Sequence, residues 1–228
     1  MTRLQRFVVT IDGSAGTGKS TVAQELARRL GTECLDTGAM YRAVTVLAVD
    51  HGFDPTNGKI LSNAIREIGI RFDWEQNPPT IYLGDENVSK RIRDLEIGDM
   101  VSVVAKQPEV RKVLVEQQRE ISKTHPLLVT EGRDQGSVVF PQASARFFLK
   151  ADVEERTRRR VKQLQELGSE VNIEEVRNNI ETRDHIDSTR KDSPLVCPDG
   201  ATVIDTSRLT ITEVVDAIES EVAVLLNS

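Results

Sequence analysis

Apolar positions along the chain fall into short runs that alternate with longer stripes at helical spacing. Phe7-Val8-Val9-Thr10-Ile11 is a run suited to a buried strand. Val22, Ala23, Leu26, Ala27 and Leu30 then recur on one helical face, and Gly31 ends the pattern. Glu33–Leu35 is a short candidate strand, followed by a helical stripe at Met40, Ala43, Val44 and Leu47. Further on, Leu127-Leu128-Val129, Arg146-Phe147-Phe148-Leu149 and Thr202-Val203-Ile204 read as core strands. Pro108 suits the first position of a helix carrying Val110, Val113, Leu114, Gln117 and Ile121. The last stripe, Ile211 to Leu225, is preceded by Thr210 and Glu213 at capping-box spacing. Strands alternating with helices predict an α/β fold built on a parallel sheet.

Two segments interrupt the alternation. Residues 61–68 carry a helical pattern, and Ile70–Trp74 and Thr80–Leu83 read as strands joined by the turn signal Asn77-Pro78-Pro79, so roughly 62–104 is an expected insertion. The second lies between two core strands. Asp152 is placed to cap a helix bearing Arg156, Arg158, Arg159 and Arg160, Gly168-Ser169 is a natural turn, and a second helix leads into Arg183…Asp187…Arg190. The three residues of this last set share a face, as do Arg156 and Arg160.

Composition narrows the function classes. With 38% hydrophobic and 29% charged residues, the 228-residue chain reads as one globular domain. A net charge of −6 argues against a general nucleic-acid binder, and 4% aromatics argue against a single-strand stacking platform. No apolar run reaches membrane-spanning length and no secretory leader is evident. Cys34 and Cys197 show no metal spacing. A cytoplasmic location with reduced thiols is expected.

Gly13-Ser14-Ala15-Gly16-Thr17-Gly18-Lys19-Ser20-Thr21 follows the first strand and opens the first helix. Its glycines let successive N–H groups turn inward as an anion nest, Lys19 reaches the outer phosphates, and Ser20 suits Mg²⁺. The helix N-terminus adds its positive dipole end. A phosphate loop alone does not separate a kinase from a switch or a transport ATPase, but neither a guanine-reading N/T-K-x-D nor an LSGGQ-type signature is present. Two further segments, Leu35-Asp36-Thr37-Gly38-Ala39-Met40-Tyr41-Arg42 and Thr130-Glu131-Gly132-Arg133-Asp134, put polar groups where candidate strands end, which is where ligands bind in open α/β sheets. Asp36 and Thr37 also suit ordinary helix capping, and Arg133-Asp134 a local ion pair.

The loop, the 35–42 segment, Gly132-Arg133-Asp134-Gln135-Gly136 and Arg183…Asp187…Arg190, in this order, resemble the bacterial cytidylate kinases of the P-loop nucleoside monophosphate kinase family. Val138-Val139-Phe140-Pro141 and Ser193-Pro194-Leu195 add to the likeness, which runs from about residue 7 to 226. The resemblance implies a five-stranded parallel sheet flanked by helices, an acceptor-binding insertion over about 62–104 and a helical LID over about 154–192, with the core in 1–61, 105–153 and 200–228. It implies that Thr37, Tyr41 and Arg42 hold the CMP phosphate and floor its site. Ser102, Arg111 and Asp134 would read cytosine, Arg133 and Arg190 would contact phosphate, and Arg183 and Asp187 the sugar. Residues 13–21 would bind ATP together with Arg156 and Arg160. Ser14, Thr37 and Ser188 stand where members often carry proline, serine and arginine, which leaves one LID contact open.

The implied reaction moves the γ-phosphoryl of ATP to CMP, and to dCMP, in pyrimidine nucleotide metabolism. An anionic phosphate oxygen is the nucleophile, so no general base is required. Lys19, Arg133, Arg183 and Arg190 would supply the catalytic charge, and Mg²⁺ would sit at Ser20 with Asp36 or Glu131 acting through water. A monomer acting on small molecules, with no nucleic-acid or membrane partner, is expected. Two alternatives stay open: a kinase for UMP or shikimate, and a nucleotide-dependent switch without transfer.

Overall fold

The computed structural model describes residues 6–166, 168 and 170–227. Among the described residues there are eight strands and eight α-helices, and outside the insertion and the arm they follow the expected alternation. β1 (Phe7–Gly13), β2 (Glu33–Asp36), β6 (Leu127–Gly132), β7 (Ala145–Lys150) and β8 (Thr202–Asp205) form one sheet in the order β2-β6-β1-β7-β8. Every pairing in it is parallel. β1, at the centre, is sealed on both faces, as a run without alternation requires.

Two apolar layers cover the sheet. On one side Val22, Ala23 and Leu26 of α1 (Lys19–Leu30) meet Val214, Val215 and Ile218 of α8 (Ile211–Leu226) over Ile11 and Phe147. Phe147 is fully buried, so its truncation to alanine costs about 3–5 kcal/mol. On the other side α2 (Thr37–Asp50) is buried along most of its length against α3 (Gly58–Ile68), α4 (Leu95–Ala105) and α5 (Pro108–Thr124). The capping box at Thr210 and Glu213 forms as expected.

The insertion has more structure than its sequence pattern suggests. Its first helix begins at Gly58, because the Asn57 side chain accepts from the Ile60 N–H at 3.2 Å. β3 (Ile70–Asp73) stops one residue short of Trp74, and with β4 (Thr80–Leu83) and the short β5 (Glu86–Asn87) it forms a separate antiparallel sheet. α4 has no counterpart in the expected elements. Ile81, Leu83, Val88 and Ile97 join the same core as α2, so the insertion does not fold around a core of its own.

The arginine-rich arm is a helix pair, α6 (Val153–Glu166) and α7 (Ile173–Thr189). Of the expected turn, Gly168 takes φ 78° and Ser169 lies outside the described residues. Among the described residues no helix is long and apolar enough to cross a membrane.

Candidate functional site

The site lies where β1, β2 and β6 end. β1 runs into the loop at Gly13, where a Cβ would stand 2.1 Å from the Leu149 carbonyl oxygen of β7, so no larger residue fits. Gly18, at φ 91°, lets the chain leave the loop and start α1 at Lys19. Lys19 is buried, and its Nζ donates to the Ser14 carbonyl at 2.6 Å and to Thr17 Oγ1 at 3.4 Å. Burial, then the neighbouring Arg133, pushes its pKa well below the usual ammonium range. Thr21 lies exposed on the first turn of α1.

Beside the loop sits a group of carboxylates. Asp36 and Glu131 face each other in register across β2 and β6. Burial, then the Asp36 charge, raises the Glu131 pKa. Asp36 is held low: burial opposes its charge, but Arg42, Glu131 and the Ala39 N–H together outweigh it. Asp36 also caps α2 through that N–H at 2.8 Å, so capping and an Arg42 ion pair at 3.0 Å coexist in one side chain. Ser20 Oγ donates to Glu131 at 2.7 Å. On β1, Asp12 is fully buried and its pKa is raised to about 6 by burial, against two backbone N–H bonds that favour its charge.

No group of three or more His, Cys, Asp or Glu residues able to hold a metal occurs among the described residues. A serine hydroxyl with buried carboxylates behind it nevertheless suits Mg²⁺, which keeps several waters and is held mainly by substrate phosphates.

Across from the loop, Arg111 of α5 and Asp134 form a buried ion pair beneath Tyr41, whose ring centroid lies 5.5 Å from the guanidinium. Ser102 of α4 is buried. The Thr37 hydroxyl donates to the Glu131 carbonyl at 2.7 Å, so its proton serves the β6 backbone.

The arm supplies the remaining groups. Arg133 donates to Asp187 at 2.9 Å, and Arg190 lies 3.6 Å from the same carboxylate. Burial, then repulsion from Arg133 and to a lesser extent Arg42 and Arg160, pulls the Arg183 pKa down. Arg190 is lowered by burial and by Arg111. Carboxylates offset part of this, Asp187 beside Arg183 and Asp134 with Asp187 beside Arg190. Among the described residues, Arg42 Nε, Arg111 Nε, Arg183 Nε and Arg190 Nη2 are buried without a hydrogen-bond partner.

Arg156 and Arg160, one turn apart on α6, do not act as a pair. Arg156 donates to the Ala15 carbonyl at 3.1 Å and pairs with Asp184, whose carboxylate also accepts from the Ala15 N–H at 3.3 Å. Arg160 bonds Gln163 and lies within electrostatic range of Asp99 and Arg42, on the acceptor side. Arg158 and Arg159 are tied to Glu155. Asp184 and Asp12 escaped the sequence reading. Asp184 gives no periodic signal, because its partners are brought by tertiary folding. Asp12 could have been noticed as a charge at the end of an otherwise apolar strand run.

The chain is similar to known proteins over nearly all of its length. The sequence pattern of the family described as cytidylate kinase matches residues 9–223. A cytidylate kinase from Caldanaerobacter subterraneus is 45% identical over 92% of this chain and 92% of its own. One from Parabacteroides distasonis is 43% identical over 92% and 93%. One from Haemophilus ducreyi is 40% identical over 96% and 98%. Among solved structures, an uncharacterized protein from Eubacterium ventriosum shares the fold at a TM-score of 0.55 and 11% identity, covering 96% of this chain and 99% of that one. The chain belongs to the cytidylate kinase family.

Proposed function

We propose that the protein transfers the γ-phosphoryl group of ATP to CMP, and to dCMP, with Mg²⁺ as the bound metal. The observation that carries this reading is the set of buried arginine nitrogens without partners, on Arg42, Arg111, Arg183 and Arg190, which lie within electrostatic range of one another through Arg133 and the Arg111–Asp134 pair. Buried polar groups are otherwise nearly always paired. Donors of guanidinium type, converging on one cleft, suit phosphate oxygens bound in forks.

The loop N–H groups, Lys19, Ser20 and Thr21 hold the ATP phosphates, with Arg156 above the loop. Arg42, Arg133 and Arg190 hold the CMP phosphate, and Arg183 and Asp187 its sugar. Asp134 accepts from the cytosine exocyclic amine, while Arg111, Ser102 and Tyr41 complete the base pocket and Thr37 borders the phosphate. Uracil presents an oxygen where cytosine presents that amine, so it meets the carboxylate unfavourably. A site built to bond a donor rejects an analogue that lacks it.

The CMP phosphate oxygen is already anionic at neutral pH. Catalysis then rests on alignment and on charge placed around the moving phosphoryl group. Lys19 and the arginines place that charge. Ser20, with Asp36 or Glu131 acting through water, would hold magnesium, which would supply further neutralisation. We read residues about 62–104 as the acceptor-binding insertion and about 154–192 as a LID that excludes water over a single kinase domain acting as a cytoplasmic monomer. The test is coupled ADP release with ATP and Mg²⁺. Release should depend strictly on added CMP; acceptor-independent hydrolysis, or none, would make the protein a switch.

A further inference from the structure

We propose that Asp12 is a positioning residue for acceptor selectivity: it takes the backbone N–H groups that open the turn after β6, and so leaves the Asp134 carboxylate free to meet Arg111 and the cytosine ring. The proposal rests on the reading of Asp134 given above.

After β6 the chain enters a single π-helical turn, Gln135–Val139, with Asp134 at its N-terminal boundary. An aspartate at such a boundary usually turns its carboxylate onto the first free N–H groups of the turn. Asp134 makes no such bond. The Gln135 N–H donates instead to Asp12 Oδ1 at 2.8 Å, and the Gly136 N–H to Asp12 Oδ2 at 2.7 Å. Each oxygen of the Asp12 carboxylate therefore serves one N–H. Asp12 itself belongs to the central strand, paired in register with Gly132 of β6 and Phe148 of β7, so the anchor is rigid. The side chain of Asp134 is left to pair with Arg111, and its backbone carbonyl accepts from Val138 and Val139 inside the turn.

A fully buried carboxylate on a strand costs solvation free energy and is retained only where its bonds compensate. Here those bonds hold the segment that carries Arg133 and Asp134. Strand β1 thus fixes both halves of the site, with Gly13 opening the phosphate loop and Asp12 setting the acceptor turn. Groups that aim a contacting side chain in this way act through the second layer of a site.

The test is a double-mutant cycle on the full chain: Asp12→Asn, Asp134→Asn and the pair. The readout is the ratio of kcat/KM for CMP to that for UMP, with both KM values and Tm measured alongside. The amide keeps the volume of Asp12 but has one acceptor oxygen for two N–H groups. Asp12→Asn is expected to lower the ratio about tenfold, through KM for CMP more than KM for ATP. In the Asp134→Asn background it should change the ratio by less than about twofold. An Asp12→Asn protein with reduced Tm and an unchanged ratio, while Asp134→Asn collapses the ratio, would overturn the inference and keep the cytosine reading. An equal loss in both backgrounds would overturn it too. An unchanged ratio in Asp134→Asn would remove the cytosine reading and this inference with it. If Asp12→Asn does not fold, hydrogen exchange in the unaltered protein decides. The Gln135 and Gly136 amides should be protected without CMP, and rapid exchange that slows only on CMP addition would contradict the proposal.

Discussion

The donor and acceptor halves of the site are built in opposite ways. The donor half is mostly contiguous, nine residues from Gly13 to Thr21 in which Lys19 and Thr17 both donate to the Ser14 carbonyl, and the arm adds Arg156 and Asp184 at Ala15. The acceptor half as proposed draws on α2, α4, α5, the end of β6 and the arm, and the contacts there cross long stretches of chain: Arg111 with Asp134, Arg133 with Asp187. A contiguous anion nest is a property of local backbone geometry. A base-reading pocket is a property of the whole fold, so damage to it should reach stability as well as activity.

The largest expected effect separates the halves by stability. Arg111→Leu leaves Asp134 buried and unpaired and is expected to cost about 3–5 kcal/mol, read as a fall in the denaturant midpoint at unchanged slope. Lys19→Ala is expected to leave that midpoint unchanged or raise it, because burial already disfavours the Lys19 charge. Its kcat/KM should instead fall by a factor on the order of 10²–10³. Equal stability losses in the two variants would erase the distinction.

Next in size is the arm. Arg190 is nearly buried, bonds the Ser193 carbonyl at 2.7 Å and keeps Nη2 unpartnered. Arg190→Ala should lower kcat roughly 10–100-fold with the fold intact by circular dichroism, the loss expected for a charged hydrogen bond made in the transition state. An unchanged kcat would leave Arg190 with a structural role only.

The same contrast explains what the sequence made legible. The five core strands, α1, the Pro108 helix and the C-terminal capping box are each signalled within a few residues, and the structure places all of them. The phosphate loop is legible for the same reason. Arg42 and Asp134 are signalled locally only as polar groups where strands end, and Arg111 not at all; the family resemblance is what joins the three. The expected elements omit α4, whose buried Ile97, Val101 and Val104 do stand at helical spacing but are blurred by Leu95, Met100 and Val103 lying off that stripe. Arg156 and Arg160 share a face by spacing, yet tertiary contacts send one to the loop and the other toward Arg42. Helical spacing fixes direction on a cylinder, not what stands opposite.

The smallest expected effect is a proton. The Lys19 pKa is depressed in the free protein and should rise when phosphate oxygens surround it, so ATP binding takes up a proton. The sign follows: uptake grows as pH rises from neutrality toward the ordinary lysine range, and ATP affinity falls over the same interval. Calorimetry at pH 8 in buffers of different ionisation heat should show this uptake, and Lys19→Ala should abolish it. Uptake that survives the substitution would place the titrating group elsewhere.

The central claim is that these two halves make one two-nucleotide site with cytosine specificity. A monophosphate acceptor panel with ATP and Mg²⁺ tests it most directly, comparing kcat/KM for CMP, dCMP, UMP, AMP and GMP. CMP and dCMP should lead, UMP should trail, and the purine monophosphates should be last; faster phosphorylation of AMP or GMP than of CMP would contradict the account.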